Sequence, residues 1–320
     1  ARKLHWGALV VPLLLLALGA IFILLGAYSA DPGTTSIFTD EDVGNLISLP
    51  SQATLYAVGA LCFFVAGLQL FRRLATVRSV FNWVLAFAAA FAFLVWITSG
   101  GSMNLPGMFQ ATLTAATPLA LGAMAGILCE RSGIINIAIE GMMLSGAFAA
   151  VAFASIFDSL WMGLLMASLV GGMMAALHAV LSIKYKVDQI ISGTVINILA
   201  AGGTRFLNVR LLEPAGMSTP GSFGIISIPV LSEIPIVGPI LFENQPTVFI
   251  MLILLLIVNW AVFFTPWGLR MRACGEHPGA ADTVGVHVNR MRYVSVIVGG
   301  LIAGIGGAYF SLGVVGTFED

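Results

Sequence analysis

Nine stretches of this chain are each apolar over enough residues to cross a lipid bilayer, and that sets what the chain can fold into. They are 7–29, 53–71, 83–98, 107–128, 134–157, 160–181, 189–206, 247–265 and 293–315. A spanning helix needs about 20 apolar residues. In lipid each backbone N–H has to be satisfied within the protein, so segments of this length are helices. Only 9% of the 320 residues are charged and 59% are hydrophobic, against about 25% charged in a soluble domain. A single water-soluble core of this size is excluded, because cores stop growing near ~250–300 residues. The expected fold is an all-α, polytopic transmembrane helical bundle of about nine spans. A secreted disulfide scaffold, a disordered chain and an ordinary soluble enzyme are ruled out.

Basic residues orient such a bundle. Arg2 and Lys3 precede the first span, Arg72, Arg73 and Arg78 follow the second, and Lys184 and Lys186 follow the sixth. Arg270, Arg272, Arg290 and Arg292 lie between the eighth and ninth. A cytoplasmic N-terminus places all of these inside and the acidic group Asp31, Asp40, Glu41 and Asp42 outside. Arg205 and Arg210 are the exceptions. The first span, with Arg2 and Lys3 ahead of it and Ala27-Tyr28-Ser29 after it, has the outline of a signal peptide. Its apolar run is too long for one, and an uncleaved helix is expected.

The net charge of −1 offers no field for nucleic acid. Cys62, Cys129 and Cys274 are scattered and form no CxxC pair, so neither a disulfide framework nor a thiolate metal site is expected. The only lysines are Lys3, Lys184 and Lys186, and none completes a phosphate-binding GxxxxGK[ST] loop. The four histidines lack metal-ligand spacing. No catalytic residues, metal or cofactor are expected, and a transporter or channel subunit is the default class.

Four stretches carry more information. In Cys129–Met143 (CERSGIINIAIEGMM), Asn136 and Glu140 are four apart, so a continuous helix would place them on one face, bracketed by Gly133 and Gly141. A carboxylate within a span costs about 2.5–3.5 kcal/mol on insertion scales. It either borders a solute pathway on an interrupted helix or pairs with an arginine such as Arg131 to lock packing. In Val187–Ala200, Thr194 and Asn197 are three apart and could bond a polar solute or serve as interhelical glue. The connection 207–246 contains Pro214, Pro220, Pro229, Pro235, Pro239 and Pro246, which forbid a long helix. Being apolar, it is either a docking surface for a soluble partner or a lid over the helices. In Arg270–Val286, Pro278 suits a first helical position and Gly285 a left-handed cap. That describes a short cytoplasmic helix with Glu276 beside its positive end, either a lever for a soluble partner or a solvated loop. The Gly122/Gly126 and Gly300/Gly304 pairs have GxxxG spacing, expected by chance among 36 glycines. His178 is expected to be packed or partnered, and Met142, Met143, Met173 and Met174 to be core.

The stretches GILCERSGIINIAIEGMMLSGA, DQIISGTVINILA, IPVLSEIPIVGPILF and RACGEHPGAADTVGV, in this order, resemble the permeases of bacterial ABC importers for ribose, other simple sugars and nucleosides, a superfamily that includes branched-chain amino acid permeases. The resemblance covers roughly residues 83–320. Residues 1–82 then form an extension with two helices, and 83–320 a permease core that the family carries further at its C-terminal end, so a C-terminally truncated core is expected. The resemblance implies a permease subunit moving a nucleoside or simple sugar across the bacterial plasma membrane, with no enzymatic activity of its own. It implies cytoplasmic ATPase subunits, a second permease, in a heterodimer, and an external solute-binding protein or lipoprotein. The fourth stretch resembles the loop that contacts the ATPase. It would supply Glu276, Pro278, Gly279, Ala280, Ala281, Asp282 and Gly285 to that contact, although His277 and Gly279 depart from the usual pattern. Polarity and periodicity suggest Asn136, Glu140, Thr194 and Asn197 along the solute path. The alternative is a secondary transporter or channel driven by an ion gradient, with Glu140 as the ion site.

Overall fold

The computed structural model describes residues 6–40, 44–70, 78–217 and 219–318. Arg2, Lys3, Glu41, Asp42, Arg72 and Arg73 lie outside the described residues. The chain divides into two compact units, Ala1–Phe109 and Gln110–Asp320.

The first unit contains helices α1 (Trp6–Tyr28), α2 (Ser51–Leu70) and α3 (Arg78–Ile97), with strands β1 (Thr35–Asp40), β2 (Gly44–Pro50) and β3 (Ser102–Asn104). Leu15, Cys62, Val65 and Leu85 bring the three helices into one apolar cluster, and Phe22, Leu55, Ala89 and Ala92 into a second. The third helix therefore groups with the first two, and this unit ends at Phe109. The connection 30–52 carries the two strands β1 and β2. β1 pairs antiparallel with β2 and parallel with β3. Ser36 fastens the sheet to the helices by donating to the Val95 carbonyl at 2.7 Å. Alternation in Thr35–Thr39 buries Phe38 against Phe91, with ring centroids 5.4 Å apart, a period-2 signal hidden in a segment read only for its charge.

α4 (Leu105–Arg131) leads into the second unit. There follow α5 (Ile139–Phe157), α6 (Leu160–Ala179), α7 (Gln189–Leu207), the single turn α8 (Glu213–Ala215), β4 (Ile226–Ser227), α9 (Val237–Phe242), β5 (Glu243–Asn244), α10 (Pro246–Phe264), α11 (Pro266–Glu276), α12 (Pro278–Thr283) and α13 (Val288–Ala308). π-helical turns extend α6 over Val180–Lys184, α7 over Asn208–Leu212 and α13 over Tyr309–Val315. Among the described residues eight helical segments are long and apolar enough to cross a membrane, and Phe81–Ile97 is a shorter apolar helix. These fall on the nine expected stretches, eight of them as candidate spans, and the fold is an all-α polytopic membrane architecture.

α13 is the core element of this unit. Gly300 and Gly304 let it cross α6 backbone to backbone: a Cβ on Gly304 would strike the Ala167 carbonyl, and one on Gly171 would lie 2.7 Å from Gly304 Cα. On α5, a Cβ on Gly146 would meet the Gly304 carbonyl at 2.7 Å. This GxxxG pair is a real close crossing and not a chance occurrence. Gly122 and Gly126 face only ordinary contacts at 3.6 and 3.5 Å. Met142 is fully buried, whereas Met173 is 69% exposed on the outer face of α6 and is not core.

The connection 207–246 folds over the ends of α5, α6 and α13. Phe223 inserts beside Trp161 and Leu312 and donates its N–H to the Leu312 carbonyl at 2.8 Å. β4 and β5 pair antiparallel, while Ile225, Val230 and Val237 stay exposed.

Candidate functional site

α4 and α5 are not joined by a simple turn. The chain reverses at Ser132 and Gly133, where Gly133 takes φ +84; the Ile134 N–H closes the turn on the Cys129 carbonyl at 3.1 Å, and residues 135 and 136 run on outside any helix. α5 starts at Ile139, whose side chain lies 3.5 Å from a Cβ placed on Gly126. The expected helix 134–157 is thus shorter at its start, and Asn136 and Glu140 do not share a helix face. Backbone outside a helix in such a bundle needs other partners, because an unsatisfied group in lipid costs several kcal/mol.

Side chains from three other helices provide them. The Ile135 N–H donates to Gln189 Oε1 at 2.6 Å, and His178 Nε2 lies 3.2 Å from the Ile135 carbonyl. Asn197 donates to the Ile137 carbonyl at 3.0 Å and accepts from the Gly141 N–H at 2.8 Å. Arg292 Nε donates to the Ser132 carbonyl at 3.2 Å. Asn136 turns inward, accepts from the Ala138 N–H at 3.0 Å and lies against Cys129 and Met142. His178 is fully buried and holds Ser192 Oγ at 3.2 Å with its other nitrogen. Small residues allow this proximity: a Cβ on Gly193 would meet Ala138 N at 3.1 Å, and one on Gly141 would meet Asn197 Oδ1 at 2.8 Å.

Beyond the break lies a cavity of about 740 Å³ between α4, α5 and the π-helical end of α13. Its wall is largely apolar, with Leu119, Met143, Leu144, Phe310 and Phe318. Glu140, in the first turn of α5, is the charged side chain in that wall, and Ser311 and Thr317 are its hydroxyls. Thr317 Oγ1 is buried without a hydrogen-bond partner. No ion pair joins Glu140 to Arg131 among the described residues. Of the four residues suggested for a solute path, Glu140 alone lines the cavity. Asn136 and Asn197 spend their amides on the broken backbone, and Thr194 is exposed and bonds back to the Ile190 carbonyl at 2.9 Å. Phe310, Ser311, Thr317 and Phe318 were not legible as cavity residues, since nothing in the sequence reveals where the end of α13 meets α4.

At the end of the bundle marked by Arg131, Lys184 and Arg292, the expected single helix within 270–286 is two. α11 ends at Glu276. His277 then caps α12, its Nδ1 accepting from the Ala280 N–H at 3.2 Å, and Pro278 takes the first helical position. Gly285 has φ +85 and donates its N–H to the Asp282 carbonyl. Pro278, Gly279, Ala280, Asp282, Thr283 and Val284 are exposed, but Ala281 is buried within this chain and is not part of the outward face.

Residues 108–318 match the family described as "Branched-chain amino acid transport system / permease component". The chain belongs to this permease family. The permease is 40% identical over 210 residues to the guanosine ABC transporter permease protein NupQ of Bacillus subtilis (strain 168), a match covering 63% of this chain and 66% of that relative. It is 36% identical to the nucleoside ABC transporter permease protein NupC of Lactococcus lactis subsp. cremoris (strain MG1363), covering 65% and 68%. A second Bacillus subtilis relative, the guanosine ABC transporter permease protein NupP, is 26% identical over 70% of this chain and 66% of its own length. The matched part spans about two thirds of these relatives. No solved structure matches the permease significantly.

Proposed function

We propose that this permease is a subunit of an ATP-binding cassette importer that moves nucleosides across the bacterial plasma membrane. The observation that carries the reading is the cavity with one carboxylate in an apolar wall. Its volume falls among those of small-molecule sites, roughly 300–1,000 Å³. A carboxylate accepts two hydrogen bonds from neighbouring donors, as offered by the vicinal hydroxyls of a ribose or the N–H edge of a guanine, while the apolar wall suits the flat face of a base. Similarity to permeases named for guanosine and nucleosides supports the same class. The relatives do not favour the ion-gradient alternative. NupP and NupQ, two permeases of one organism both named for guanosine, support a heterodimer of two different permeases.

The α11–α12 end faces the cytoplasm in this reading, because Arg131, Lys184, Lys186, Arg270, Arg272, Arg290 and Arg292 lie there, and the N-terminus is cytoplasmic with it. ATPase subunits dock against Glu276, Pro278, Gly279, Ala280 and Asp282, with Gly285 shaping the cap and Ala281 supporting the helix from beneath. An external binding protein delivers solute to the opposite end. The test is uptake of radiolabelled guanosine by the importer assembled with its partner subunits in liposomes. ATP-dependent uptake that survives a proton uncoupler supports the proposal, and uptake driven by a proton gradient without ATP overturns it.

A further inference from the structure

The broken segment touches the cytoplasmic helix pair at one end and the cavity at the other. At the first end, α11 lies against the turn without a side chain between them. A Cβ on Gly275 would strike the Arg131 carbonyl and lie 3.2 Å from Gly133 N, and one on Gly133 would lie 3.2 Å from both Gly275 Cα and the Arg292 guanidinium. At the other end the segment runs straight into Glu140 and Gly141, where Asn197 holds the backbone on both sides of the carboxylate residue. Between these ends, the Ile134 N–H still bonds back to the Cys129 carbonyl at the end of α4, and residues 135 and 136 belong to no helix. The side chains of Gln189, His178 and Asn197 hold the backbone, and side chains can follow a sliding backbone by changing rotamer. Helix α5, which contains no proline, cannot shorten or lengthen in that way.

We propose that residues 132–138 are the transmission element through which α11 sets the position of the α5 N-terminus at the cavity, and that Asn197 is the positioning residue tying this element to α7. The inference rests on the permease reading above. Displacement of α11 by a docked ATPase pushes on Arg131–Gly133 through Gly275. The segment shifts along α4, and Glu140 moves with it relative to Phe310 and Ser311. Asn197 makes α7 follow, because it bonds to both sides of Glu140.

The test uses the importer assembled with its partner subunits, carrying Leu144→Cys as a reporter in the cavity wall and with Cys62, Cys129 and Cys274 replaced. Reaction of the reporter with a small water-soluble thiol reagent is timed without nucleotide and with a non-hydrolysable ATP analogue. A change of about fivefold or more is expected, the lower end of typical allosteric coupling. Adding Gly275→Ala, whose methyl wedges α11 away from the Arg131 carbonyl, should remove the change while leaving binding of the analogue intact. Asn197→Ala should shrink the change, and Asn197→Gln, which retains both donor and acceptor, should restore part of it. A reporter equally reactive in both states overturns the transmission proposal whether or not the variants assemble, and so does a change that persists in Gly275→Ala. Protection of the reporter by excess guanosine reports separately on the solute path. Protection without a nucleotide-dependent change leaves the cavity reading standing and removes this one, whereas loss of protection in both states removes the cavity reading.

Discussion

Glu140 and the residues around it show how far single positions could be read. A carboxylate in an apolar run announced itself in the sequence, and the structure puts it in a cavity wall. Its pairing with Asn136 at helical spacing did not survive, because residues 137 and 138 form a turn and α5 starts only at Ile139. A hydrogen bond to a charged group is worth about 1.5–3 kcal/mol. Glu140→Ala should therefore raise the apparent KM for nucleoside uptake about tenfold or more, and Glu140→Gln, which keeps one acceptor, should do so less. Wild-type uptake by both variants would remove Glu140 from the path. Cys274 offers a second test at this scale. Burial pushes its thiol up from the ordinary value, while the nearby Arg292 charge pulls the other way. The thiolate is the reactive form, so Cys274 is expected to react with maleimide at pH 7 more slowly than a free cysteine, and to speed up on unfolding. Gly304 and Gly122 make a matched pair. Overpacking costs about 1–3 kcal/mol in a well-packed site, so Gly304→Ala should lower the melting temperature in detergent markedly while Gly122→Ala leaves it nearly unchanged. GxxxG spacing alone could not separate these two pairs, since it does not say what faces each glycine.

Whole helices were legible where apolar runs were long and uninterrupted, and less so where backbone hydrogen bonds go elsewhere. The nine runs became the nine apolar helices, and Pro278 and Gly285 correctly marked the ends of α12. An interrupted helix near Gly133 was one of two readings of its stretch, but what holds the break at 132–138 was not legible, and the paired strands β1 and β2 were missed, for a shared reason: their partners are distant in sequence. Gln189, His178, Asn197 and Arg292 satisfy the first, and β3 completes the second. The inward face of α12 also depended on tertiary contact, because Ala280 and Ala281 look alike in sequence but one is exposed and the other 4% exposed. Ala281→Trp is therefore expected to destabilise the permease itself, seen as a lower yield of folded protein. Gly285→Val, at φ +85 with open space around it, should cost about 1–3 kcal/mol of backbone strain. Val284→Asp, at a position 78% exposed beside the docking residues Ala280 and Asp282 and so within the same outward face, should leave folding intact and reduce ATP-driven uptake. Equal uptake by Val284→Asp and wild type would show that the ATPase docks elsewhere.

At the scale of the molecule, the alternation of basic ends predicts that cysteines introduced at 279 are shielded from impermeant reagents in intact cells while those at 222 react, and the reverse pattern would invert the topology. The close crossing of α13 over α5 and α6 has a further consequence, for the order in which the protein is made. α13 is synthesised after every helix it holds together, and domains and segments form as they emerge. Until it arrives, α5 and α6 lie in lipid with Gly146 and Gly171 facing an empty groove, and the Ser132 carbonyl waits for Arg292. The growing chain thus passes through a stage in which α5, α6 and α7 are inserted and Gln189, His178 and Asn197 already hold the 132–138 segment, while the helix that packs α5 against α6 has still to arrive.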